Sequence, residues 1–449
     1  MFFVPGPISD VRPLSAIIPS VVRDATTPDS LRLSDDRVRE LASHGTPLYV
    51  LDESLIRHKI TLYREALAAS WGQTRLGYAS KANSTSAVLK IAASEGCWID
   101  VASEGEFRAA LLAGIDPAQC YAHGNNKSRT ELEFARAQGI GMIVADSFEE
   151  ISLLDSLGAK TPLLLRLAPG VDPKTHGKIS TGQDDTKFGF NVSDGSGQRA
   201  VEACRDAGLN LIGVHCHVGS QLLDPTAQIT GGEVIAQFGQ EVFPALGLEL
   251  KIVNVGGGLG VRNSDESPLA IQEYCQRVAD AIRAVVSDDV ILMHEPGRSL
   301  VAEAGVTLYR VGNVKDVPSR SHGTRRYVAV DGGLADNPRP ALYGAKYELA
   351  LTPQEPRDLQ TSQPTTVSGR HCETDKLFED VPLPGCVRAG DWVQVFGTGA
   401  YNSSMASNYN RYPRPATLLI RLDGSVSEIQ RAETWEQVLG REVLPEDLV

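Results

Sequence analysis

The sequence contains one lysine whose position suits covalent chemistry. Lys81 ends the apolar, β-prone stretch Leu76–Ser80 and precedes a segment with helical character, Ala87–Ala93. A strand end holds an amine on a rigid element. Partial burial would lower the lysine pKa from about 10.4 and make the amine a nucleophile toward a carbonyl carbon. Most lysines are surface groups, so Lys81 taken alone is more typical of a strand end that reaches solvent.

Glycines follow two further apolar runs. Gly256–Gly258 come after Lys251–Val255, and Gly219 and Ser220 come after Leu211–Val218. Backbone N–H groups of glycine can approach an anion without interference from a Cβ atom, so these segments suggest a phosphate cradle. Three glycines alone also suit a tight turn. The sequence has no GxGxxG motif opening a helix and no GKS or GKT, which disfavours a dinucleotide or ATP site.

A carboxylate and an imidazole complete this set of groups. Glu295 follows Met293 and His294, which suggests partial burial, and a buried carboxylate needs a cationic or hydrogen-bond-donating partner. A protonated pyridine nitrogen would meet that need. His217 could bind a metal with His215, but we expect no metal site and instead an imidazole stacked on a flat ring. Lysine, anion cradle, carboxylate and imidazole together are the groups that pyridoxal 5'-phosphate requires.

A regular alternation of elements would position these groups. Short runs that are apolar throughout, as in strands covered on both faces, alternate with amphipathic helical stretches. The eight predicted strands are Gly77–Ser80, Trp98–Ala102, Cys120–His123, Met142–Asp146, Pro162–Ala168, Leu211–Val218, Lys251–Val255 and Ile291–His294. This α/β pattern predicts a (β/α)8 TIM-like barrel, with catalytic groups at the C-terminal ends of its strands. A doubly wound open sheet is the alternative.

The alternation ends after Arg298. From about residue 305 the sequence has β-rich runs interrupted by Pro, Gly and polar residues, which predicts a mainly β C-terminal domain. We assign residues 49–304 to the barrel, and residues 1–48 and 305–449 to the β-rich domain. The strand Leu48–Leu51 is a candidate to pair into the β domain. A helix is predicted over Ser34–Ser43, with Ser34 as its N-cap.

Composition narrows the classes of partner and compartment. The 449 residues suit two domains, and the net charge of −13 disfavours nucleic acid or an anionic membrane as a partner. The seven cysteines include no CxxC pair, which is typical of a reducing compartment. The first 13 residues lack the features of a signal peptide, and no apolar run approaches the ~20 residues of a membrane span. We therefore expect a cytoplasmic protein.

Nine motifs in order resemble the pyridoxal-phosphate-dependent amino-acid decarboxylases of the alanine-racemase-like fold (fold type III). Within that fold the chain is most similar to the diaminopimelate decarboxylases. The motifs are YASKAN, HGNNKS, PGVDPKTHGKISTGQDDTKFGF, HCHVGSQ, VGGGLG, EPGRSL, RPALYGA, HCETD and GAYNSSMASNYNRYPRPA. The resemblance implies a carboxy-lyase that converts meso-2,6-diaminopimelate to L-lysine and CO2, the last step of lysine biosynthesis, with pyridoxal 5'-phosphate as cofactor.

The resemblance also implies a role for each matching residue. Lys81 would carry the cofactor, and Cys372 would donate a proton. The cofactor-binding residues would be Lys81, His217, Ser220, Gly257, Gly258, Glu295, Gly297, Arg298 and Tyr401. The substrate-binding residues would be Arg298, Arg339, Tyr343, Glu373 and Tyr401. In the family the Cys-Glu pair reaches into the neighbouring subunit's site, which implies a homodimer with shared active sites.

The implied substrate fits these residues chemically. Its far end keeps a free carboxylate and a free ammonium, for which two arginines and Glu373 are suitable partners. The loop Thr374–Lys376 departs from the family's usual Ser-Gly-Asp. The alternatives are a decarboxylase of ornithine, arginine, a D-amino acid or a siderophore or carrier-linked intermediate, a racemase of this fold, and a non-catalytic pyridoxal-phosphate-binding protein.

Overall fold

The computed structural model describes residues 30–171, 183, 185–319, 323–359, 362–374 and 376–448. Residues 1–29, for which no signal peptide was expected, lie outside the described residues, and so does part of the motif at 169–190. The described chain opens with helix α1 (Asp35–Ala42), and Ser34 Oγ accepts the N–H of Arg37. The predicted N-cap is therefore confirmed. Strand β1 (Leu48–Asp52) follows.

Eight parallel strands form a closed barrel. They are β2 (Thr74–Ala79), β3 (Trp98–Val101), β4 (Cys120–Ala122), β5 (Met142–Ala145), β6 (Leu163–Ala168), β8 (Leu211–His215), β9 (Ile252–Asn254) and β10 (Ile291–His294). The two-residue strand β7 (Phe190–Asn191) pairs with β6 and is not counted among the eight. The hydrogen-bonded order is β5-β4-β3-β2-β10-β9-β8-β6, and pairing of β5 with β6 closes the ring. The predicted barrel is confirmed, and the open sheet is excluded.

Helices cover the outside of this barrel. They are α2 (Glu53–Ser70), α3 (Ser86–Ser94), α4 (Glu104–Leu112), α5 (Arg129–Ala137), α6 (Phe148–Ser156), α7 (Ser196–Asp206), α8 (Thr226–Ala245), α9 (Ile271–Arg283) and the short α10 (Arg298–Val301). Side-chain N-caps begin several of them soon after the preceding strand ends, as at Ser103, Ser128 and Ser147. In the barrel, six buried side chains from five strands form a separate apolar cluster: Tyr121, Met142, Val144, Leu164, Ile252 and Met293.

A second, mainly β unit follows the barrel. Its elements are β11 (Gly305–Ser319), β12 (Gly323–Val330), α11 (Arg339–Tyr343), β13 (Leu349–Thr352), β14 (Ser362–Ser368), β15 (Phe378–Pro384), β16 (Trp392–Phe396), β17 (Ala416–Ile420), β18 (Val426–Gln430) and α12 (Trp435–Leu439). The order β15-β14-β12-β11-β1-β17-β18 places β1 inside this sheet, antiparallel to β11 and parallel to β17. The predicted pairing of Leu48–Leu51 is confirmed. The exact domain boundaries stay a prediction.

Close backbone contacts join the two units. Within the β unit, a Cβ atom at Gly305, where β11 begins, would lie 2.4 Å from the Cα of Gly399. The amide of Gly399 in turn donates to the carbonyl oxygen of Ala302 in the barrel unit, 3.0 Å away. The amide of Tyr401 donates to the carbonyl oxygen of Ala82, 2.7 Å away, just after β2. The loop that carries Tyr401 is thus fixed against the barrel. Among the residues that the structure describes, no helix has the length and apolar composition that crossing a membrane requires.

We predict that Gly305→Ala lowers the free energy of unfolding by about 1–3 kcal/mol or more, because the added methyl group overlaps the backbone of Gly399. Urea denaturation followed by circular dichroism measures the loss. Gly312→Ala in the same strand is the matched control, since its nearest atom lies 3.9 Å away. Equal stability of the two variants would contradict the close packing at Gly305.

Candidate active site

A cavity of about 480 Å³ opens at the C-terminal ends of the barrel strands. The barrel contributes most of its lining, and the β domain contributes residues at its rim. Of the predicted site residues, the following line it: Lys81, His217, Ser220, Gly257, Gly258, Glu295, Gly297, Arg298, Arg339, Tyr343 and Tyr401. The structure therefore brings eleven of the thirteen predicted residues together around one space.

Lys81 lies in one turn of 3₁₀ helix, Ser80–Ala82, directly after β2. Its side chain is exposed to the open cavity, whereas the sequence analysis expected it to be partly buried. The backbone of the turn is firmly held: Ser404 Oγ donates to the carbonyl oxygen of Lys81 at 3.1 Å. The β domain thereby fixes the position of the amine, which stays accessible from the cavity.

Glu295 is a buried carboxylate that receives several hydrogen bonds. His123 Nε2 lies 3.0 Å from Oε1, His215 Nε2 lies 3.2 Å from Oε2, and the amide of Asn254 also donates to Oε1. Burial alone would raise the pKa of Glu295, but the two imidazoles outweigh it and hold that pKa well below its usual range. Burial lowers the pKa of His215 to about 3. Glu295 is therefore an anion at neutral pH, and His215 is neutral.

His215 and His217 both line the cavity, because residues two apart in an extended chain face the same side. Burial lowers the pKa of His217 well below its ordinary value, and the nearby Lys81 adds to this, so its ring is neutral. His123, His215 and Glu295 offer ligand atoms within 4.8 Å of one another, and such a set could also hold a metal ion. The expectation of no metal site stays a prediction.

The glycine segment after β9 is closely packed and leaves no room for side chains. Added Cβ atoms would lie 2.2 Å from the carbonyl oxygen of Glu295 at Gly257, and 2.6 Å from that of Gly219 at Gly258. Gly258 also has a φ of +136°, which L-residues rarely adopt. A segment without Cβ atoms lets its backbone N–H groups come close to an anion, which binding an anion through N–H groups requires. Ser220 stands beside the segment and accepts a hydrogen bond from Arg298 Nη2 at 3.0 Å.

Two buried arginines face the same cavity. Arg298 and Arg339 are 6 % and 4 % exposed, and both guanidinium groups lie against the ring of Tyr401, at 4.7 and 5.8 Å. Burial, followed by the neighbouring charge of Arg339, lowers the pKa of Arg298 to about 10. Within the described chain, Nε and Nη1 of Arg298 have no hydrogen-bond partner. Two partly unpaired cations in one pocket are suited to an anionic ligand.

Cys372 and Glu373 do not line this cavity. Both are exposed, on a loop of the β domain. The amide of Cys372 donates a hydrogen bond to Asn410 Oδ1 at 3.0 Å, and the hydroxyl group of Tyr409 donates one to the carboxylate of Glu373. In this single chain the predicted proton donor therefore lies apart from the predicted lysine.

The sequence analysis assigned no role to several polar residues that lie at the site. Asp100, His123 and Arg166 line the cavity, and Asn254 contacts Glu295. Burial raises the pKa of Asp100 to about 6 and lowers that of Arg166. Except for His123, which follows β4, each stands inside an otherwise apolar barrel strand. Since burying a polar group is costly without a function or partner, a polar residue in such a strand was the available signal.

The arrangement supports a specific set of interactions. The glycine segment and the arginines can bind anionic groups, and Glu295 can pair with a cationic nitrogen. Lys81 offers an amine for covalent attachment to a carbonyl carbon. Pyridoxal phosphate has an anion, a ring nitrogen and an aldehyde, so the residues present fit this cofactor.

Comparison with known proteins agrees with this chemistry. The family model for the pyridoxal-binding domain of pyridoxal-dependent decarboxylases matches residues 53–302. Diaminopimelate decarboxylase of Bacillus subtilis is 42 % identical, with the alignment covering 88 % of this chain and 91 % of that protein.

Solved structures show the same similarity. The diaminopimelate decarboxylase of Helicobacter pylori complexed with L-lysine has a TM-score of 0.81 at 32 % identity, covering 89 % of this chain and 98 % of that one. That of M. jannaschii in complex with L-lysine has a TM-score of 0.84 at 31 % identity, covering 96 % and 99 %. The similarity therefore extends over both the barrel and the β domain.

We predict that Arg298→Met stabilises the ligand-free protein by about 1–4 kcal/mol, because it removes a buried cation that lies beside Arg339. Thermal unfolding without and with inorganic phosphate measures this. Phosphate should raise the melting temperature of the wild type more than that of the variant. Arg57→Met is the control: Arg57 pairs with Glu53 and Glu95, so its loss should destabilise. A destabilised Arg298→Met protein would contradict the prediction.

Proposed function

The chain belongs to the diaminopimelate decarboxylases, a family of pyridoxal-dependent decarboxylases, and we propose that it converts meso-2,6-diaminopimelate to L-lysine and CO2. One observation carries the choice of substrate. Two buried arginines, one from the barrel and one from the β domain, face the cavity that contains Lys81. They match the free carboxylate at the far end of diaminopimelate.

Pyridoxal 5'-phosphate is the cofactor of this family, and the cavity residues have complementary groups for it. The Lys81 amine would attach the cofactor. Ser220 and the glycines Gly257, Gly258 and Gly297 would hold its phosphate, and His217 would pack against its ring. When bound, the cofactor would supply a sink for the electrons left behind by CO2. Glu295 would keep the ring nitrogen protonated, since its own pKa lies well below the usual range.

Substrate selection follows from burial and charge. Arg298 and Arg339 bind the far carboxylate, with Tyr343 and Tyr401 beside them at the rim. A monocarboxylate such as ornithine would leave two buried cations without an anion. Leaving such charges unpaired costs about 1–3 kcal/mol or more, and since about 1.4 kcal/mol is a factor of ten, that substrate should be rejected by about tenfold to a hundredfold or more. This disfavours the alternative decarboxylases of monocarboxylate amino acids.

We propose a homodimer in which each subunit completes the other's site. Cys372 and Glu373 are exposed and outside the cavity of their own chain, which agrees with contact to a partner subunit. From there Glu373 binds the far ammonium of the substrate. Cys372 donates a proton to the carbon that has lost CO2, acting as the general acid. The seven cysteines include no CxxC pair, which agrees with a cytoplasmic enzyme.

The first test is CO2 release by the purified protein supplied with pyridoxal phosphate. We expect release from meso-diaminopimelate, with L-lysine as the product, and little release from L-ornithine, L-arginine, L-lysine or D-lysine. Lys81→Ala should be inactive, because it cannot attach the cofactor. Equal or faster release from a monocarboxylate would show that the arginines do not select the substrate.

Mixing two inactive variants tests the shared sites. Lys81→Ala and Cys372→Ala each leave every homodimer without a complete site. If Cys372 acts in the partner's cavity, a mixed dimer regains one complete site, and equal mixing should restore about a quarter of wild-type activity. Restoration after co-refolding, and its absence when the variants are mixed without exchange, would support the dimer. No restoration would place the proton donor elsewhere.

A further inference from the structure

Asn254 lies between the Glu295 carboxylate and the glycine segment that follows β9. It is the last residue of β9 and is fully buried. We infer that Asn254 is a positioning residue, whose side-chain amide joins Glu295 to the glycine segment so that the acid and the anion cradle keep a fixed distance. This inference rests on the proposed function, because it concerns the binding of the same cofactor.

The two ends of the amide make different contacts. Nδ2 donates a hydrogen bond to Oε1 of Glu295, and Oδ1 accepts the backbone N–H of Gly256 at 2.9 Å. An ionised carboxylate only accepts and a backbone N–H only donates, so the amide has one satisfactory orientation. The backbone is held as well: the carbonyl oxygen of Asn254 accepts the N–H of Cys216 at 2.9 Å. Asn254 is therefore fixed relative to both β8 and β9.

The glycine segment needs such a fixed point. Gly256 has a φ of +72°, and a Cβ atom there would lie 2.4 Å from the carbonyl oxygen of Cys216. Glycines permit this close packing, but they also leave the segment many alternative conformations when unfolded or loosened. The bond from Gly256 to Asn254 holds the first amide of the segment. Gly257 and Gly258, which line the cavity, stay available to the anion.

The other end of the amide supports Glu295 in a way that imidazoles cannot. His123 and His215 also lie against this carboxylate, but a neutral imidazole nitrogen is a donor only in one of its two tautomers. The amide of Asn254 does not titrate, so its N–H is a donor at every pH. The other charged or titratable groups that influence or face Glu295 are Asp100, Tyr121, Arg166, Cys216, His217, His294 and Lys81.

Two substitutions separate the two contacts. Asn254→Ala removes both. Asn254→Asp keeps an oxygen that can accept the Gly256 N–H, but it replaces the donor with a second carboxylate beside Glu295. Neighbouring carboxylates raise the pKa of one of the pair, so the aspartate variant should take up a proton near Glu295 at a higher pH than the wild type.

The experiment compares binding of pyridoxal phosphate and of pyridoxal to the full-length apoprotein, followed by absorbance across a pH range. The ratio of the two affinities reports the phosphate cradle. In the wild type this ratio of affinities should be large, and in Asn254→Asp it should stay within about threefold of the wild-type ratio. Asn254→Ala should lower it by about tenfold or more, as expected for a lost anchor of this kind.

The acid side of the pH profile reports the other contact. The affinity of the wild type for pyridoxal phosphate should persist in mild acid. The pKa of Glu295 is held low, so its charge is lost only on strong acidification. In Asn254→Asp the affinity should fall at a higher pH. The kcat of both variants for CO2 release should fall more than their KM changes, since Glu295 acts on the bound cofactor and not on the far end of the substrate.

Asn210→Ala and Asn210→Asp are matched controls, because Asn210 is exposed and contacts the backbone oxygen of Lys160. They should leave the affinity ratio and the pH profile unchanged. If the Asn254 variants also leave both unchanged while the wild type binds pyridoxal phosphate, the inference is wrong and the proposed function stands. If the folded wild type binds no pyridoxal phosphate, the proposed function itself fails. Circular dichroism checks folding, and the nearly isosteric aspartate keeps the test usable if the alanine variant unfolds.

Discussion

A negative charge held out of water at the base of the cavity sets the conditions for the rest of this site. Glu295 is 5 % exposed, and an isolated carboxylate at such a position would take up a proton. Hydrogen bonds from His123, His215 and Asn254 make the charged form the stable one. These donors come from the ends of β4, β8 and β9, three strands that meet beside the carboxylate only because the barrel is closed. The charged state of the Glu295 carboxylate is thus a consequence of barrel closure.

The same reasoning applies to the positive charges near the rim. Arg298 is buried beside Arg339, and in the described chain two of its guanidinium nitrogens have no partner. Such an arrangement lowers the stability of the ligand-free protein, and it is tolerated where a ligand supplies the missing anion. The buried apolar cluster in the barrel, which includes Met142 and Met293, contributes stability. Stability and ligand binding are therefore carried by different residues of the same strands.

Much of this could be predicted from the sequence, for identifiable physical reasons. Continuous apolar runs predicted the eight barrel strands, and glycine and polar residues after these runs predicted which end carries the site. Asp100 and Asn254 were missed, because a run that is apolar apart from one residue is still counted as a buried strand. The exposure of Lys81 was also predicted wrongly, since the sequence does not show that the cavity beside it stays open. The role of Cys372 came from the family resemblance and not from strand spacing, because Cys372 lies on an exposed loop of the β domain outside the cavity.

The position of the lysine at the junction of the two units links catalysis to domain assembly. The carbonyl oxygens of Lys81 and Ala82 accept hydrogen bonds from Ser404 and Tyr401, both of which belong to a loop of the β domain. Arg298 and Arg339, which lie against the same Tyr401 ring, likewise come from the two different units. A displacement of the β domain would therefore move the lysine turn and separate the arginines at the same time. In the proposed function, covalent attachment and carboxylate binding both depend on this one junction. Domain movement would therefore disturb substrate selection and the position of the lysine together.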